Sequence, residues 1–401
     1  MGGWLDLAEA QAQLLALAPK MPREEVAVED ALGRVLADDL AARRTQPPAD
    51  LSAMDGYAIA GNGPWQLVGE SRAGAPFEGA IAHGEAVRIS TGAHMPQGAN
   101  SVLIQENATR DGDTLSAEQT PEPGRHVRRR GFDFGKGDQL LAQGTVLGPG
   151  QLALAIAGGH AVLPVAARPK VAVLDSGDEL ARDATNVRDD QMPASNGPMI
   201  AAMLAPLIGS AQRIGPVADD MGALAEALAN AQDCDILITS GGASVGDHDL
   251  VQDALREWGC EIAFWKVAIK PGKPLMVATR AIGGRRQVVL GLPGNPVSSF
   301  VTAYLFALPL IRASLGIANP LPSPQQRIAG EVFPAGGPRR EFVRAISDGE
   351  KVMSAASQDS SALGSLALAN CLAEREPDGC EVAEGEPITV YTLQNGGFAW
   401  L

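Results

Sequence analysis

CDILITSGGASVGDHD (234–249), FWKVAIKPGKPLMVA (264–278) and VVLGLPGNP (288–296) repeat one design. In each, an apolar strand-like run ends on a loop of glycine, proline and charged or hydroxyl residues. Such loops gather at the carboxyl ends of a parallel sheet, where α/β proteins bind their ligands. Ser240, Gly241, Gly242, Ser244 and Gly246 let backbone N–H groups approach an anion closely, and a following helix adds the positive end of its dipole. Lys266, Lys270 and Lys273 supply countercharge, while Asp247 and Asp249 are oxygen donors for a divalent cation bridging phosphates. The third loop, Pro293-Gly294-Asn295-Pro296, opens a long apolar helix running to about Leu315. A phosphorylated ligand with a metal is the first reading.

The surroundings of this stretch fix the fold class. From Arg168-Pro169 onward, strand and helix alternate: a strand at Lys170–Leu174, a helix capped by Asn196, a strand at Ala211–Val217, and a helix capped by Asp219 or Asp220. That order predicts a central doubly wound, mostly parallel α/β domain over 168–317. Short apolar runs punctuated by glycine and proline predict an inserted β-rich domain over 46–133. Helical spacing over 4–18 and 24–40 predicts two scaffold helices, so 1–45 and 134–167 form a small discontinuous domain. After Asn319-Pro320-Leu321-Pro322-Ser323-Pro324, residues 322–401 suit a C-terminal β-barrel-like domain, with strands at Glu341–Ala345, Val352–Ala355, Gly379–Ala383 and Pro387–Leu393. Arg339, Arg340 and Arg344 read there as surface charges.

Composition narrows the function. A net charge of −15 argues against general nucleic-acid binding, so an anion site must concentrate its lysines and arginines locally. Cys234, Cys260, Cys371 and Cys380 lack zinc spacing and read as buried free thiols in a reducing, cytoplasmic setting. No membrane segment and no secretory start are expected. In the β-rich part, Ser52-Ala53-Met54-Asp55-Gly56-Tyr57-Ala58 is either a functional acid loop or an ordinary Asp-Gly hairpin turn. The basic run Arg125–Asp133 is either a solvated loop or an anion patch at a junction.

Taken in order, SAMDGYA (52–58), TGA (91–93), RRRGFD (128–133), SGDEL (176–180), SGGASVGDHD (240–249), FWKVAIKPGKP (264–274) and GLPGNPVS (291–298) resemble the molybdopterin molybdenumtransferase family, which includes the E domain of gephyrin. The resemblance covers essentially the whole chain. It implies four domains, a homodimer with the active site at the subunit interface, and Mg²⁺-dependent insertion of molybdate into adenylylated molybdopterin with release of AMP. It implies catalytic roles for Asp55, Asp133, Asp249, Lys266 and Lys270, and metal ligation by Asp249, Asp247 and Glu179. Thr91, Ser240, Gly241, Gly242, Ser244, Gly246, Lys273, Pro293, Gly294, Asn295 and Pro296 would bind the pterin nucleotide. The adenylyltransferase of the same pathway is an implied partner. Two departures stand out: Met192-Pro193-Ala194-Ser195 lacks the acid the family carries before the Asn196 helix, and Leu51 replaces an asparagine. Competing readings are an adenylyltransferase-like activity and a non-catalytic scaffold. Adenylyltransferases have one α/β domain, and a scaffold has no use for the lysine loops.

Overall fold

A computed structural model describes residues 4–241 and 250–393. At its centre lies a six-stranded sheet built from β1 (Val171–Ser176), β2 (Ala211–Val217), β3 (Ile236–Ser240), β4 (Glu261–Lys266), β5 (Pro274–Ile282) and β6 (Arg285–Leu292), in the order β2-β1-β3-β6-β5-β4. The first four strands are parallel; β5 runs antiparallel to both neighbours, turning into β6 at Gly283-Gly284. Two antiparallel pairings return β4 to the direction of β6. The carboxyl ends of β1, β2, β3, β4 and β6 therefore share one rim.

Alternation explains the layers. Val171, Val173, Ile236, Ile238, Val288 and Leu290 face helix α1 (Asn196–Leu204) and the long helix beginning at Pro296. Ala172, Leu174, Leu237 and Val289 face α2 (Met221–Asn230) and α3 (Leu250–Glu257). A sheet buried on both faces reads as nearly continuous apolar strands, as these do. Asp220 caps α2, its carboxylate accepting from the Ala223 N–H at 3.0 Å. The Pro296 helix runs as α4 (Pro296–Thr302), a π turn and a further α segment to Ser314. It is the one described helix long and apolar enough to cross a membrane, but 83% of its apolar window is buried inside the fold.

Residues 24–40 correct the sequence reading. Arg23–Ala27 is a strand paired antiparallel with Val162–Ala166, a single helical turn follows at Val28–Asp30, and Leu40–Ala41 pairs with Gln139–Leu141. The helical spacing is coincidental: Gly33 sits at φ +72, which an α-helix cannot contain. The N-terminal helix is Leu7–Leu15, and Leu5 bridges to Val267 beside β4.

Between Gln46 and Phe134, which pair where the chain leaves and re-enters this region, lies a second six-stranded sheet. Asp55-Gly56 is not a hairpin turn. Leu51–Ser52 pairs with Val127–Arg128, whereas Gly56–Ile59 is an inner strand between Glu85–Ile89 and Ser101–Ile104. Gly56 is required by space: a β-carbon there would lie 2.1 Å from the Leu103 carbonyl oxygen.

The C-terminal region is a closed barrel of Gln325–Ala329, Arg340–Ser347, Lys351–Ser354, Cys371–Arg375 and Pro387–Thr392. Cys371–Arg375 replaces the strand expected at 379–383, where only Val382 makes a bridge, to Phe333. Cys234, Cys260 and Cys371 are buried free thiols, but Cys380 is exposed. Its neighbours 376–379 form a turn rather than a strand.

Gly56→Ala should destabilise the protein by about 3 kcal/mol, because the clash is with backbone and no rotamer relieves it. Urea unfolding checks this; an unchanged midpoint would contradict the packing described.

Candidate active site

The rim is held together by one side chain the sequence offered only as a helix cap. Asn196 Nδ2 donates to Ser240 Oγ at 2.8 Å and to the Gly294 carbonyl at 2.7 Å, stapling the start of α1 to the end of β3 and the loop after β6. Gly241, at φ +98, donates its N–H to the Leu292 carbonyl, and Gly294 lies so close that a β-carbon on it would sit 3.8 Å from the Gly241 Cα. Asn295 occupies the N-cap of α4 and Pro296 its first turn. Ser240, Gly241, Pro293, Gly294, Asn295 and Pro296 are thus neighbours across two strand ends. On the loop leaving β1, the Glu179 carboxylate folds over Gly177, where a β-carbon would lie 2.4 Å from Oε2.

Beneath this rim is Asp175, a residue the sequence reading passed over. It is 3% exposed and stands beside Ser240 in the β1–β3 register. Its carboxylate accepts the Gly197 N–H, and Gly197 must be glycine, since a β-carbon would meet Oδ2 at 2.1 Å. Burial pushes the Asp175 pKa up to about 6, opposed by the Gly197 hydrogen bond and the Arg213 charge. Oδ1 has no partner. The signal available in sequence was an acid inside an otherwise apolar strand.

A second group forms where the lysine loop meets the barrel. Ile269–Lys270 pairs in parallel with Arg340–Glu341, adding a short strand to the barrel edge. Lys270 Nζ lies 3.0 Å from Glu341 Oε1, and Arg375 Nη1 lies 2.6 Å from Glu341 Oε2. The cleft alongside has a volume of about 500 Å³. Its walls carry Lys270, Lys273, Arg339, Arg344 and Arg375 against the carboxylates of Glu341 and Asp359. Five cations against two acids give the cleft an excess of positive charge. Pro293 also lines it, so one loop joins cleft and rim.

The barrel arginines are therefore not surface charges. Arg344 is 1% exposed and donates through Nη2 to the Ser357 and Asp359 carbonyls at 2.7 and 2.9 Å. Burial lowers its pKa. Arg339 Nη1 donates to the Ile269 carbonyl, and Arg340 pairs with Glu374 and Glu376. Lys273 stands 5.0 Å over the Trp4 ring, a cation–π contact that ties the N-terminal segment to the loop. Lys266 ends β4 and is exposed; its carbonyl accepts the Leu5 N–H at 2.9 Å.

Asp55 and Thr91 meet directly, the Thr91 N–H donating to Asp55 Oδ1 at 2.9 Å. Asp133 lies at the re-entry point, its N–H donating to the Gln46 carbonyl. The sheet beside Asp55 and Thr91 packs around cores of its own, and none of its strands makes more than marginal contact with the strands of the rim. Gly242, Ser244, Gly246, Asp247 and Asp249 lie outside the described residues. Among the described residues, no three His, Cys, Asp or Glu side chains assemble as a metal centre.

Family models match in three consecutive parts: the MoeA N-terminal region (domains I and II) over 5–159, a "probable molybdopterin binding domain" over 172–313, and the MoeA C-terminal region (domain IV) over 326–393. The chain is 33% identical to a molybdopterin molybdenumtransferase of Haemophilus influenzae, over 96% of this chain and 98% of that one. It is 33% identical to molybdopterin molybdenumtransferase 2 of Mycobacterium tuberculosis, over 92% and 94%. A solved MoeA structure from Pyrococcus horikoshii OT3 superposes with a TM-score of 0.85 at 26% identity, covering 98% of this chain and all of that one.

The raised pKa of Asp175 means the native state holds this proton more tightly than the unfolded chain does. Stability from this group is full below its ordinary value near 3.8 and is lost as pH rises to about 6. Asp175→Asn should therefore gain about 3 kcal/mol on the parent between these pH values, with no further change above them. Urea unfolding across that range checks it; a pH-independent difference would contradict the burial.

Proposed function

This chain belongs to the molybdopterin molybdenumtransferase family, and from that membership we propose that it inserts molybdate into adenylylated molybdopterin and releases AMP. The observation that carries the reading is the cationic cleft between the lysine loop and the barrel, joined through Pro293 to the glycine-lined rim. Molybdate is a tetrahedral dianion. Lys270 and Lys273 match it in charge, and their flexible donors suit oxyanion oxygens, while Arg344 adds positive charge from within the wall. The rim suits the nucleotide: Gly294 puts no side chain over it, and α4 directs its N-terminus toward the same loops.

Within this reading, the residues position rather than react. Lys270 and Lys273 hold molybdate beside the rim, and the loop at Gly294 seats the phosphates. Glu179 is a hard oxygen donor at the rim. Mg²⁺ commonly takes one or two carboxylates together with phosphate oxygens and water, so Glu179 is a carboxylate that would hold it; Asp247 and Asp249, the further donors the sequence offers, lie outside the described residues. Bound there, Mg²⁺ would neutralise phosphate charge. Asp55 and Thr91 are assigned to the partner subunit's side of the site, since the sheet beside them packs around cores of its own, and Asp133, at the re-entry point of that region, is assigned with them. The enzyme is accordingly read as a homodimer receiving its nucleotide from the adenylyltransferase of the pathway.

Lys270→Ala should lower molybdate-dependent AMP release by about 10²-fold, the scale for losing one preorganised charge donor. Glu341 keeps Arg375 in that variant, so the barrel should remain folded. Quantifying AMP from adenylylated molybdopterin, with and without molybdate and Mg²⁺, tests the reading. AMP release indifferent to molybdate would overturn it.

A further inference from the structure

Three buried acceptor oxygens at the rim have no hydrogen-bond donor: Asp175 Oδ1, Asn196 Oδ1 and Asn295 Oδ1. They belong to one cluster. Asp175 neighbours Ser240 in register and accepts from Gly197, Asn196 is bonded to Ser240 and Gly294, and Asn295 follows Gly294. The orientation of Asn196 is fixed, because only its Nδ2 can satisfy both the Ser240 hydroxyl and the Gly294 carbonyl. Buried acceptors are normally paired, and three orphans together at a strand-end rim point to a ligand that brings donors.

The two rings of adenylylated molybdopterin differ in what they offer. The pterin's 2-amino-4-oxopyrimidine edge carries an exocyclic amine beside a ring N–H, so two donors stand next to each other. Adenine alternates its amine with ring nitrogens that only accept, and those lone pairs would face the protein's own. A cluster containing only free acceptors therefore selects the pterin. We propose that Asp175, with Asn196 and Asn295, seats the 2-amino-4-oxopyrimidine edge of the pterin and is a specificity-determining site of the reaction; this rests on the transferase reading above.

Asp175 suits this role chemically. Gly197 occupies one carboxylate oxygen, leaving the other for a ring N–H or amine. A site built to hydrogen-bond such groups rejects rings lacking them, because its buried acceptors would stay unpaired. In Asp175→Asn, the amide oxygen would stay with the Gly197 N–H and the NH₂ would face the pterin's own donors. In Asp175→Ala, the acceptor is withdrawn altogether.

The test is titration of the full-length protein with 6-hydroxymethylpterin, followed by its fluorescence, with AMP and molybdate titrated in parallel. Both variants should lose at least about tenfold in pterin affinity, the order expected for an unpaired buried polar contact. AMP and molybdate affinities should stay within about twofold, and the melting temperature of Asp175→Asn should not fall. Unchanged pterin affinity in either folded variant would overturn the proposal. So would a parallel loss of pterin and AMP, which is how a purely structural residue behaves. If the parent binds AMP and molybdate but not the pterin, this seat is wrong and the transferase reading stands; if it binds none of the three, both fall.

Discussion

Glu341 stands between Lys270 and Arg375, and that contact joins the architecture to the candidate chemistry. Lys270 belongs to the α/β domain, whereas Glu341 and Arg375 belong to the barrel. The backbone pairing of Ile269–Lys270 with Arg340–Glu341 fixes the same junction, so the lysine loop is shared by two sheets. Glu341 is largely buried and lies between two cations, which compensates its desolvation. Without this carboxylate, the barrel would press several positive charges against the lysine loop. With it, the cleft keeps an excess of positive charge and a defined shape. In the proposed reaction, Glu341 thus holds Lys270 in place for an oxyanion.

The rim follows the opposite logic. Its buried acceptors are left unpaired, and Asp175 is pushed toward protonation by its surroundings. A sequence selected for stability alone would put an apolar or neutral residue at that point of β1. Gly197 has no other evident reason to be glycine than the approach of Asp175 Oδ2. Local instability kept in place by its neighbours is common where a site is preorganised for a ligand. Asp175 also supplies, from below, a carboxylate near a helix start whose preceding residues, Met192-Pro193-Ala194-Ser195, contain none.

Much of this was legible in the sequence, for physical reasons. Strands buried on both faces write themselves as apolar runs, so β1, β3 and β6 and their loops could be read directly, and the ordered motifs carried the family. The errors fell where distant pairing decides the outcome. Residues 24–40 carry helical spacing, but pairing of Arg23–Ala27 with Val162–Ala166 and the positive φ of Gly33 override it. The barrel arginines looked like surface charge because nothing local signals that Ile269–Lys270 will add to the barrel edge. Asp175 was passed over because burial, which gives it meaning, comes from α1 and β3, separated from it in sequence.

In the proposed function, molybdate sits between the lysine loop and the barrel. Anomalous diffraction at the molybdenum edge, from crystals soaked in molybdate, tests it most directly. A peak is expected in the cleft within hydrogen-bond reach of Lys270 or Lys273, and it should be lost in Lys270→Ala crystals. A peak elsewhere with this cleft empty, or one indifferent to Lys270, would contradict it.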